Sequence, residues 1–238
     1  PNVITLDMGG TSTDVSLLRD GKVSVESGQK VAGYSIRVPA VAIHTIGAGG
    51  GSIAWLDGAM GFHVGPRSAG ADPGPAAYGR GGTQPTVTDA NVLLGRLNPE
   101  ALLGGAMPIR ADLAAKAVAP IAERLGMSVQ RTAAGILEVG VSAMVRAVRV
   151  ISVEKGEDPR DFALMPFGGA GALHGSAVAR QLGIRTLLVP KSPGLLCSLG
   201  ALLAAPTMEC AQTRVLSANQ TAAVGRIIQQ LRTQAQHW

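Results

Sequence analysis

A short polar segment near the start of the chain, residues 7–14 with the sequence DMGGTSTD, most constrains the fold. It follows an apolar run over residues 3–6 and leads into alternating apolar and polar residues, so both flanks have the pattern of β-strands. Glycines let backbone N–H groups approach an anion, threonine hydroxyls donate further hydrogen bonds, and carboxylates can hold Mg²⁺ or orient water. The segment is therefore more typical of a phosphate-binding turn than of an ordinary tight turn between strands.

A second glycine cluster, FGGAG at residues 167–171, ends the apolar run 162–167 and precedes a predicted helix. A strand, a glycine turn and a helix N-terminus together form a seat for an anion or a nucleotide, although ordinary strand–helix packing gives the same pattern. We expect the two turns to face each other across a cleft at the rim of one sheet and to contact the same triphosphate.

The order of the predicted elements indicates an α/β domain. The first 27 residues have the pattern of three short strands in a meander, with Asp20 and Gly21 in one turn. Thr88 and Asp89 are expected to cap a short helix that runs to Leu97. The other predicted elements are helices over residues 112–125, from 128 to near 156, 172–182, 195–204 and 217–236, and strands over residues 162–167 and 186–189. A mixed sheet of about five strands flanked by helices accounts for this order.

Residues 47–108 interrupt these elements with many glycines and prolines. Such a composition precludes long helices, and a long ordered loop inside a compact domain is usually functional. We therefore expect this Gly/Pro-rich insertion to carry part of the site.

Composition argues against several classes of function. The net charge is +5, but the basic residues are scattered and no aromatic residues are interleaved with them, so no nucleic-acid partner is predicted. Cys197 and Cys210 have neither disulfide nor metal-site spacing, which predicts free thiols in a reducing cytoplasm. The longest apolar stretch, residues 195–205, is too short to cross a bilayer, so no membrane partner is predicted.

Five segments resemble signatures of the hydantoinase A/5-oxoprolinase family, in the family's order and over roughly residues 1–204. The segment at 7–15 is similar to the family's second phosphate motif, and the segment at 167–171 is similar to its adenosine motif. The other three segments lie at residues 47–54, 64–79 and 85–91. This family belongs to the superfamily of sugar kinases, heat-shock chaperones and actin, so the resemblance implies a ribonuclease-H-like sheet.

The resemblance also implies an activity. Family members use ATP and Mg²⁺ to open cyclic amides such as hydantoins or 5-oxoproline, through phosphoryl activation of the amide. Two other readings stay open: part of a subunit of an ATP-dependent ketone carboxylase, and a truncated module that turns over no substrate.

The expected organisation is that of a fragment. Residues 1–205 are expected to form the second of two ATPase half-domains, with the insertion at 47–108, and residues 206–238 a truncated helical tail. Relatives carry an earlier phosphate hairpin, yet the Asp-x-Gly-Gly-Thr pattern occurs once here, and the chain begins at Pro1 without a methionine. The implied partners are a missing N-terminal half-domain, a second subunit or domain of the hydantoinase B type, and a small cyclic amide.

The resemblance and the residue chemistry together suggest site residues. Asp7 is the candidate for supporting Mg²⁺ or orienting the nucleophile, Asp14 is a second candidate metal ligand that could also cap the turn, and His44 is a candidate general acid or base. The residues expected to bind the nucleotide are Gly9, Gly10, Thr11, Thr13, Gly49, Gly50, Gly168, Gly169 and Gly171.

Other polar residues could contact the nucleotide, the substrate or a metal, or could serve only in packing, turns and solvation: His63, His174, Asp72, Asp89, Arg67 and Arg80. Ala77 stands where many relatives have cysteine, and Ala172 where many have proline. If that cysteine takes part in the chemistry of the relatives, it cannot do so here.

Overall fold

The fold is taken from a computed structural model, which describes residues 1–31, 34–98, 107–206, 210–217 and 220–237. The chain forms two units, residues 1–197 and 198–238.

Along the described part of the chain eight strands come first, three helices follow, and two further strands are interleaved with the last helices. The strands are β1 (Val3–Met8), β2 (Thr13–Arg19), β3 (Lys22–Val23), β4 (Val25–Val31), β5 (Tyr34–Val41), β6 (Ile43–Ile46), β7 (Ser52–Leu56), β8 (Phe62–Ser68), β9 (Ala163–Phe167) and β10 (Thr186–Leu187). The helices are α1 (Val87–Leu93), α2 (Ala111–Leu125), α3 (Val129–Ile151), α4 (Gly171–Leu182), α5 (Leu196–Leu203) and α6 (Thr221–Gln236).

The main sheet is mixed, as predicted. Its strand order is β10-β9-β1-β2-β3, and β6 pairs with the first half of β2. β1 is antiparallel to β2 and parallel to β9, which is in turn parallel to β10. Since β1 and β9 are parallel neighbours, the turns that follow them meet at one edge of the sheet.

The two faces of the sheet differ in character because side chains alternate along a strand. Ile4, Leu6 and Met8 of β1 are fully buried and pack with apolar residues of α3 and α4. Each such side chain contributes about 1.5–3 kcal/mol on burial. Thr5 and Asp7 of β1 alternate with them, and the Thr5 hydroxyl lies 2.7 Å from the Ser16 hydroxyl on β2. The apolar face carries the core and the polar face carries the carboxylate at the strand end.

The predicted end of α2 and the predicted start of α3 are confirmed. α2 ends at Leu125, and the C-cap residue Gly126 has φ 63°, the left-handed conformation that favours glycine. The Ser128 side chain caps α3 by accepting a hydrogen bond from the Arg131 N–H. The predicted end of α3 near Gly156 is wrong: the helix stops at Ile151, and residues 153–155 form a tighter 3₁₀ turn.

The short helix in the insertion starts earlier than predicted. Thr86, and not Thr88, is the N-cap of α1: the Thr86 side chain accepts from the Asp89 N–H, and Asp89 accepts from the Thr86 N–H. This reciprocal capping box fixes the first turn at Val87, and the helix ends at Leu93 instead of Leu97. The absence of long helices from the insertion is confirmed for residues 47–98 and 107–108; residues 99–106 lie outside the described residues.

The smaller unit contains α6, over Thr221–Gln236, close to the range predicted for the tail. Among the helices of the described segments, none combines the length and the hydropathy that a membrane crossing requires.

Candidate functional site

A cavity of about 300 Å³ lies where both glycine turns end their strands. The first turn contributes Gly9, Gly10 and Thr11 to its wall, and the second contributes Gly169, Ala170 and Leu173. The insertion supplies the other lining residues: Gly50, Gly51, Gly70, Ala71, Pro75, Tyr78, Thr88, Asn91 and Leu97. The two turns, some 160 positions apart, therefore share one cavity.

The parallel pairing of β1 with β9 explains why the turns meet. Asp7 is opposite Phe167 in the register, and the Ala170 N–H donates to the Met8 carbonyl at 2.9 Å. Gly168 has φ 82°, and a Cβ atom there would lie 2.3 Å from the Asp7 Oδ1 atom. Only glycine allows the second turn to approach the carboxylate this closely.

The insertion packs a third glycine segment directly on the first turn. The Gly50 N–H donates to the Gly9 carbonyl at 3.0 Å, and the Gly51 N–H donates to the Gly10 carbonyl at 2.6 Å. A Cβ atom on Gly49 would lie 2.5 Å from the Thr11 nitrogen, so backbone touches backbone here. These contacts use carbonyl oxygens of the turn, whereas of its N–H groups that of Gly9 donates within the turn, to the Ser12 carbonyl at 3.1 Å.

Several N–H groups of the lining are available to an anion. Within the described part of the chain, those of Gly10, Thr11 and Gly169 donate to no backbone acceptor. Converging N–H groups in a glycine turn form a concave site for phosphate oxygens. The arrangement can therefore bind an anion through the backbone alone.

Helix α1 is attached to this glycine layer by its first turn. Both the N–H and the hydroxyl of Thr88 donate to the Gly50 carbonyl, each at 2.8 Å. Thr88 and Asn91 thereby face the cavity from one side of α1.

Asp89 anchors the other side of α1 to the segment that carries Tyr78. Its carboxylate has no exposed surface. It accepts hydrogen bonds from the N–H of Thr86 at 2.9 Å and from the Thr86 hydroxyl at 2.7 Å. It also accepts from the N–H groups of Ala76 at 3.3 Å and Ala77 at 2.7 Å. Burial raises the pKa of Asp89, although these hydrogen bonds act in the opposite direction. Asp89 is thus a helix cap and a loop anchor, and it does not line the cavity.

Asn91 and His174 connect α1 to α4. The Asn91 Nδ2 atom lies 3.0 Å from the Val87 carbonyl oxygen and 3.3 Å from the His174 Nε2 atom. Both residues are only 1% exposed. Burial, and secondarily the charge of Arg96, lowers the pKa of His174 to about 4, so its imidazole is neutral near pH 7.

Two carboxylates lie together on the polar face of the sheet, and neither is among the residues that line the cavity. Asp7 and Asp14 are directly opposite each other on β1 and β2, so their side chains share the polar face of the sheet. The Cys197 thiol donates to the Asp7 Oδ2 atom at 3.0 Å, which raises the pKa of Cys197, and the Thr45 hydroxyl donates to Asp14. The described residues contain no group of three or more candidate metal ligands, but Mg²⁺ is commonly held by one or two carboxylates and substrate phosphates. The pair fits that mode of binding.

Not every predicted binding residue lines the cavity. The lining includes Gly9, Gly10, Thr11, Gly50 and Gly169. Thr13 is buried, and its hydroxyl donates to the Ala48 carbonyl. Gly49 and Gly168 serve the close backbone approaches described above. Gly171 is the first residue of α4, and a Cβ atom there would be 3.1 Å from the Leu6 carbonyl oxygen.

The remaining polar candidates lie outside the lining. His44 is half-buried on β6, opposite Val15 of β2. His63 stacks on Trp55 and pairs with Asp57 at 2.7 Å near the tip of the β7–β8 hairpin. The hydrogen bond to His63 lowers the pKa of Asp57. Asp72, Arg67 and Arg80 are exposed, with Arg67 donating to Gln84 and Arg80 to Met107.

Ala77 faces away from the cavity. It is fully buried in a small apolar cluster with Val92, Ile109 and Ala114, and its N–H donates to Asp89. The alanine at this position therefore fills core space and removes no side chain from the lining.

The sequence reasoning missed the side chains that give the lining its apolar part: Pro75, Tyr78, Leu97 and Leu173. Tyr78 lies within a segment already singled out for its resemblance to the family. Leu97 and Leu173 carry no signal in the sequence that separates them from ordinary core leucines.

Comparison with known proteins identifies the family. Residues 1–210 match the profile of the hydantoinase/oxoprolinase family. The chain belongs to this family. It is 48% identical over 203 residues to the caprolactamase subunit alpha of Pseudomonas jessenii, covering 85% of this chain and 29% of that protein.

Two solved structures share the fold. The crystal structure of the ATP-dependent caprolactamase from Pseudomonas jessenii superposes with a TM-score of 0.80 at 41% identity, covering 100% of this chain and 35% of that one. Nucleotide-free acetone carboxylase gives a TM-score of 0.78 at 33% identity, covering 84% of this chain and 28% of that one. The chain thus spans roughly a third of the length of these hydantoinase/oxoprolinase relatives.

Proposed function

We propose that the chain is the nucleotide-binding portion of an enzyme that uses ATP to open a cyclic amide such as a hydantoin or 5-oxoproline. The observation that carries this proposal is the convergence of three glycine segments on one cavity, with Asp7 and Asp14 paired on the two strands that flank the first turn. Membership of the hydantoinase/oxoprolinase family supports the class of reaction.

The reaction needs ATP because an amide carbonyl is a poor electrophile. The amide oxygen attacks the γ-phosphorus, the bond from that phosphorus to the β–γ bridging oxygen breaks, and ADP leaves. Water then adds to the activated carbon, the ring C–N bond breaks, and a second water releases phosphate. Catalysis of the first step consists mainly of positioning groups and neutralising charge.

The residues of this chain suit that first step. The N–H groups of Gly10, Thr11 and Gly169 would hold phosphate oxygens, and the Thr11 hydroxyl would add one more donor. Asp7 and Asp14 would hold Mg²⁺, which supplies charge neutralisation on the phosphates when bound. His44 lies outside the cavity lining, so a role as general acid or base would require a substrate bound on the β6 side of the sheet.

The size of the cavity fits a partial site. Ligand sites commonly measure about 300–1,000 Å³, so a volume of about 300 Å³ is small for a nucleotide with a second substrate. We propose that a preceding half-domain completes the nucleotide site and that a hydantoinase B-type subunit or domain takes part in the reaction. The two cysteines are free thiols, which favours a cytoplasmic location.

A second candidate function is supported by the fold of acetone carboxylase, which this chain shares at a TM-score of 0.78. The same phosphate seat could activate a small ketone for carboxylation. A screen for ADP release in the complete enzyme, with cyclic amides in one set and ketones plus bicarbonate in the other, separates the two functions.

The role of Asp7 is the direct test of the site. In the complete enzyme, Asp7→Asn should lower ATP turnover by about 100-fold or more, because the neutral amide neither neutralises a cation nor orients a nucleophile. Asp112→Asn, on the exposed surface of α2, is the matched control and should leave turnover unchanged. Unchanged turnover in Asp7→Asn refutes the assignment. If the purified 238-residue chain binds ATP with a dissociation constant above about 1 mM, this would favour a module that by itself turns over no substrate.

A further inference from the structure

A closed series of hydrogen bonds surrounds the cavity. Gly50 and Gly51 donate to the first turn, Thr88 donates to Gly50, and the Ala170 N–H donates to the end of β1. These links all involve the backbone. The series is closed between α1 and α4 by one contact between two side chains, Asn91 and His174.

This closing contact fixes the orientation of the Asn91 amide. Its Nδ2 group donates both to the Val87 carbonyl and to the His174 Nε2 atom, which can accept because the buried imidazole is neutral near pH 7. A carboxamide turned by 180° would place its oxygen against the Val87 carbonyl oxygen and lose that bond, although the other neutral tautomer of His174 could then donate to the amide oxygen. The two donations therefore hold the Asn91 Oδ1 atom on the side away from α4.

The Asn91 oxygen has no donor of its own. Within the described residues, the Oδ1 atom is buried without a hydrogen-bond partner, as is the His174 Nδ1 atom. Buried polar atoms are nearly always satisfied, so each exception calls for an explanation. Asn91 also lines the cavity, together with Tyr78, Leu97 and Leu173, whose apolar side chains suit an uncharged ring more than a phosphate.

We propose that Asn91 is a specificity-determining residue whose Oδ1 atom accepts a hydrogen bond from a ring-bound N–H group of the ligand, and that His174 is the positioning residue that holds the Asn91 amide for it. This inference rests on the proposed function, which offers two sources of such a group. One is the exocyclic amine of adenine, and the other is the ring N–H of a cyclic amide.

Binding measurements with the complete enzyme separate these sources. The first arm compares ATP with purine ribonucleoside triphosphate, which lacks the exocyclic amine. The second arm compares a lactam with its N-methyl derivative in the presence of a non-hydrolysable ATP analogue. We expect the wild-type enzyme to prefer the N–H ligand about tenfold in one arm, since one buried hydrogen bond is worth about that ratio.

Three variants connect that preference to the pair. Asn91→Leu, of similar size, should reduce the ratio to about one by weakening the N–H ligand and leaving its analogue unchanged. His174→Leu should reduce the ratio partly, because the Asn91 amide can then rotate, and His174→Gln should restore it by offering an acceptor oxygen. If Asn91→Leu does not fold by circular dichroism, the His174→Leu and His174→Gln pair gives the same test.

The outcomes also separate this inference from the proposed function. Thr11→Ala should weaken ATP and purine ribonucleoside triphosphate equally if Thr11 contacts phosphate. The inference is overturned if neither arm shows a preference for the N–H ligand, or if the preference survives in the Asn91 and His174 variants. If ATP binding still depends on Thr11 in that case, the proposed function stands. A complete enzyme that binds neither ATP nor a lactam overturns both.

Discussion

The burial of His174 makes a quantitative prediction about the stability of the fold. Its pKa is lowered from the ordinary value of 6.5 to about 4, so between these pH values the unfolded chain binds a proton that the folded chain rejects. Stability is therefore complete above pH 6.5 and is lost as the pH falls toward about 4. Each unit of difference is worth about 1.4 kcal/mol, so the full loss is about 3 kcal/mol and the loss at pH 5 is about 2 kcal/mol.

Urea unfolding of the wild type and of His174→Gln at pH 7.5 and pH 5 measures this loss. All other titrating groups are common to the two proteins, so the difference between their pH dependences isolates His174. We expect the wild type to lose about 2 kcal/mol more than His174→Gln between these pH values. His237→Gln is the control, because His237 is exposed at the end of α6 and its replacement should leave the wild-type curve unchanged. A difference below about 0.5 kcal/mol would refute the placement of His174 as a neutral buried group.

Three further predictions follow from the same contacts. Asp89→Ala should lower the free energy of unfolding in urea by about 3–5 kcal/mol, because it leaves four hydrogen-bond donors without their buried acceptor. The control Asp112→Ala, on the surface, should lower it by less than about 0.5 kcal/mol, and an equally small effect at Asp89 would argue against its role as an anchor. Gly49→Ala should weaken ATP binding about tenfold or more, because its Cβ would lie 2.5 Å from the backbone of the first turn, while Gly58→Ala, with open space around it, should bind as the wild type does. Ala77→Cys should bind ATP normally, and its thiol should resist a thiol reagent until urea is added; reaction in the folded protein would contradict the burial of this position.

The parts of the fold that depend on local pattern were predictable. The first turn stands out because acidic, glycine and threonine residues interrupt two runs of strand pattern. α2 and α3 stand out because Gly126 and Ser128 mark a helix end and a helix start. The meeting of the two glycine turns was also predicted, and the parallel pairing of β1 with β9 is what brings them together.

The parts that depend on long-range contacts were not predictable. Asn91 and His174 are 83 positions apart, and nothing local distinguishes their contact from ordinary packing. The predicted end of α3, near Gly156, was wrong. The helix stops five residues earlier, because the Ser152 hydroxyl donates to the Val148 carbonyl and the chain tightens into a 3₁₀ turn there. The start of α1 was predictable in principle, since Thr86 stands three residues before Asp89, the spacing of a capping box.

The composition of the cavity wall indicates where specificity resides in this fold. The glycine segments touch each other through backbone atoms, so they offer an anion the same N–H groups whatever the second substrate is. A caprolactamase and an acetone carboxylase share this fold at TM-scores of 0.80 and 0.78, although one name denotes an amide and the other a ketone. In the proposed function a backbone seat cannot distinguish these molecules, because it would contact phosphate oxygens alone. Discrimination within this wall must therefore come from side chains, and the four large ones that it offers are Tyr78, Asn91, Leu97 and Leu173. Only Asn91 among these four both carries a buried acceptor without a partner and is held in place by a second residue, so substitutions there should change which ligand binds before they change whether phosphate binds.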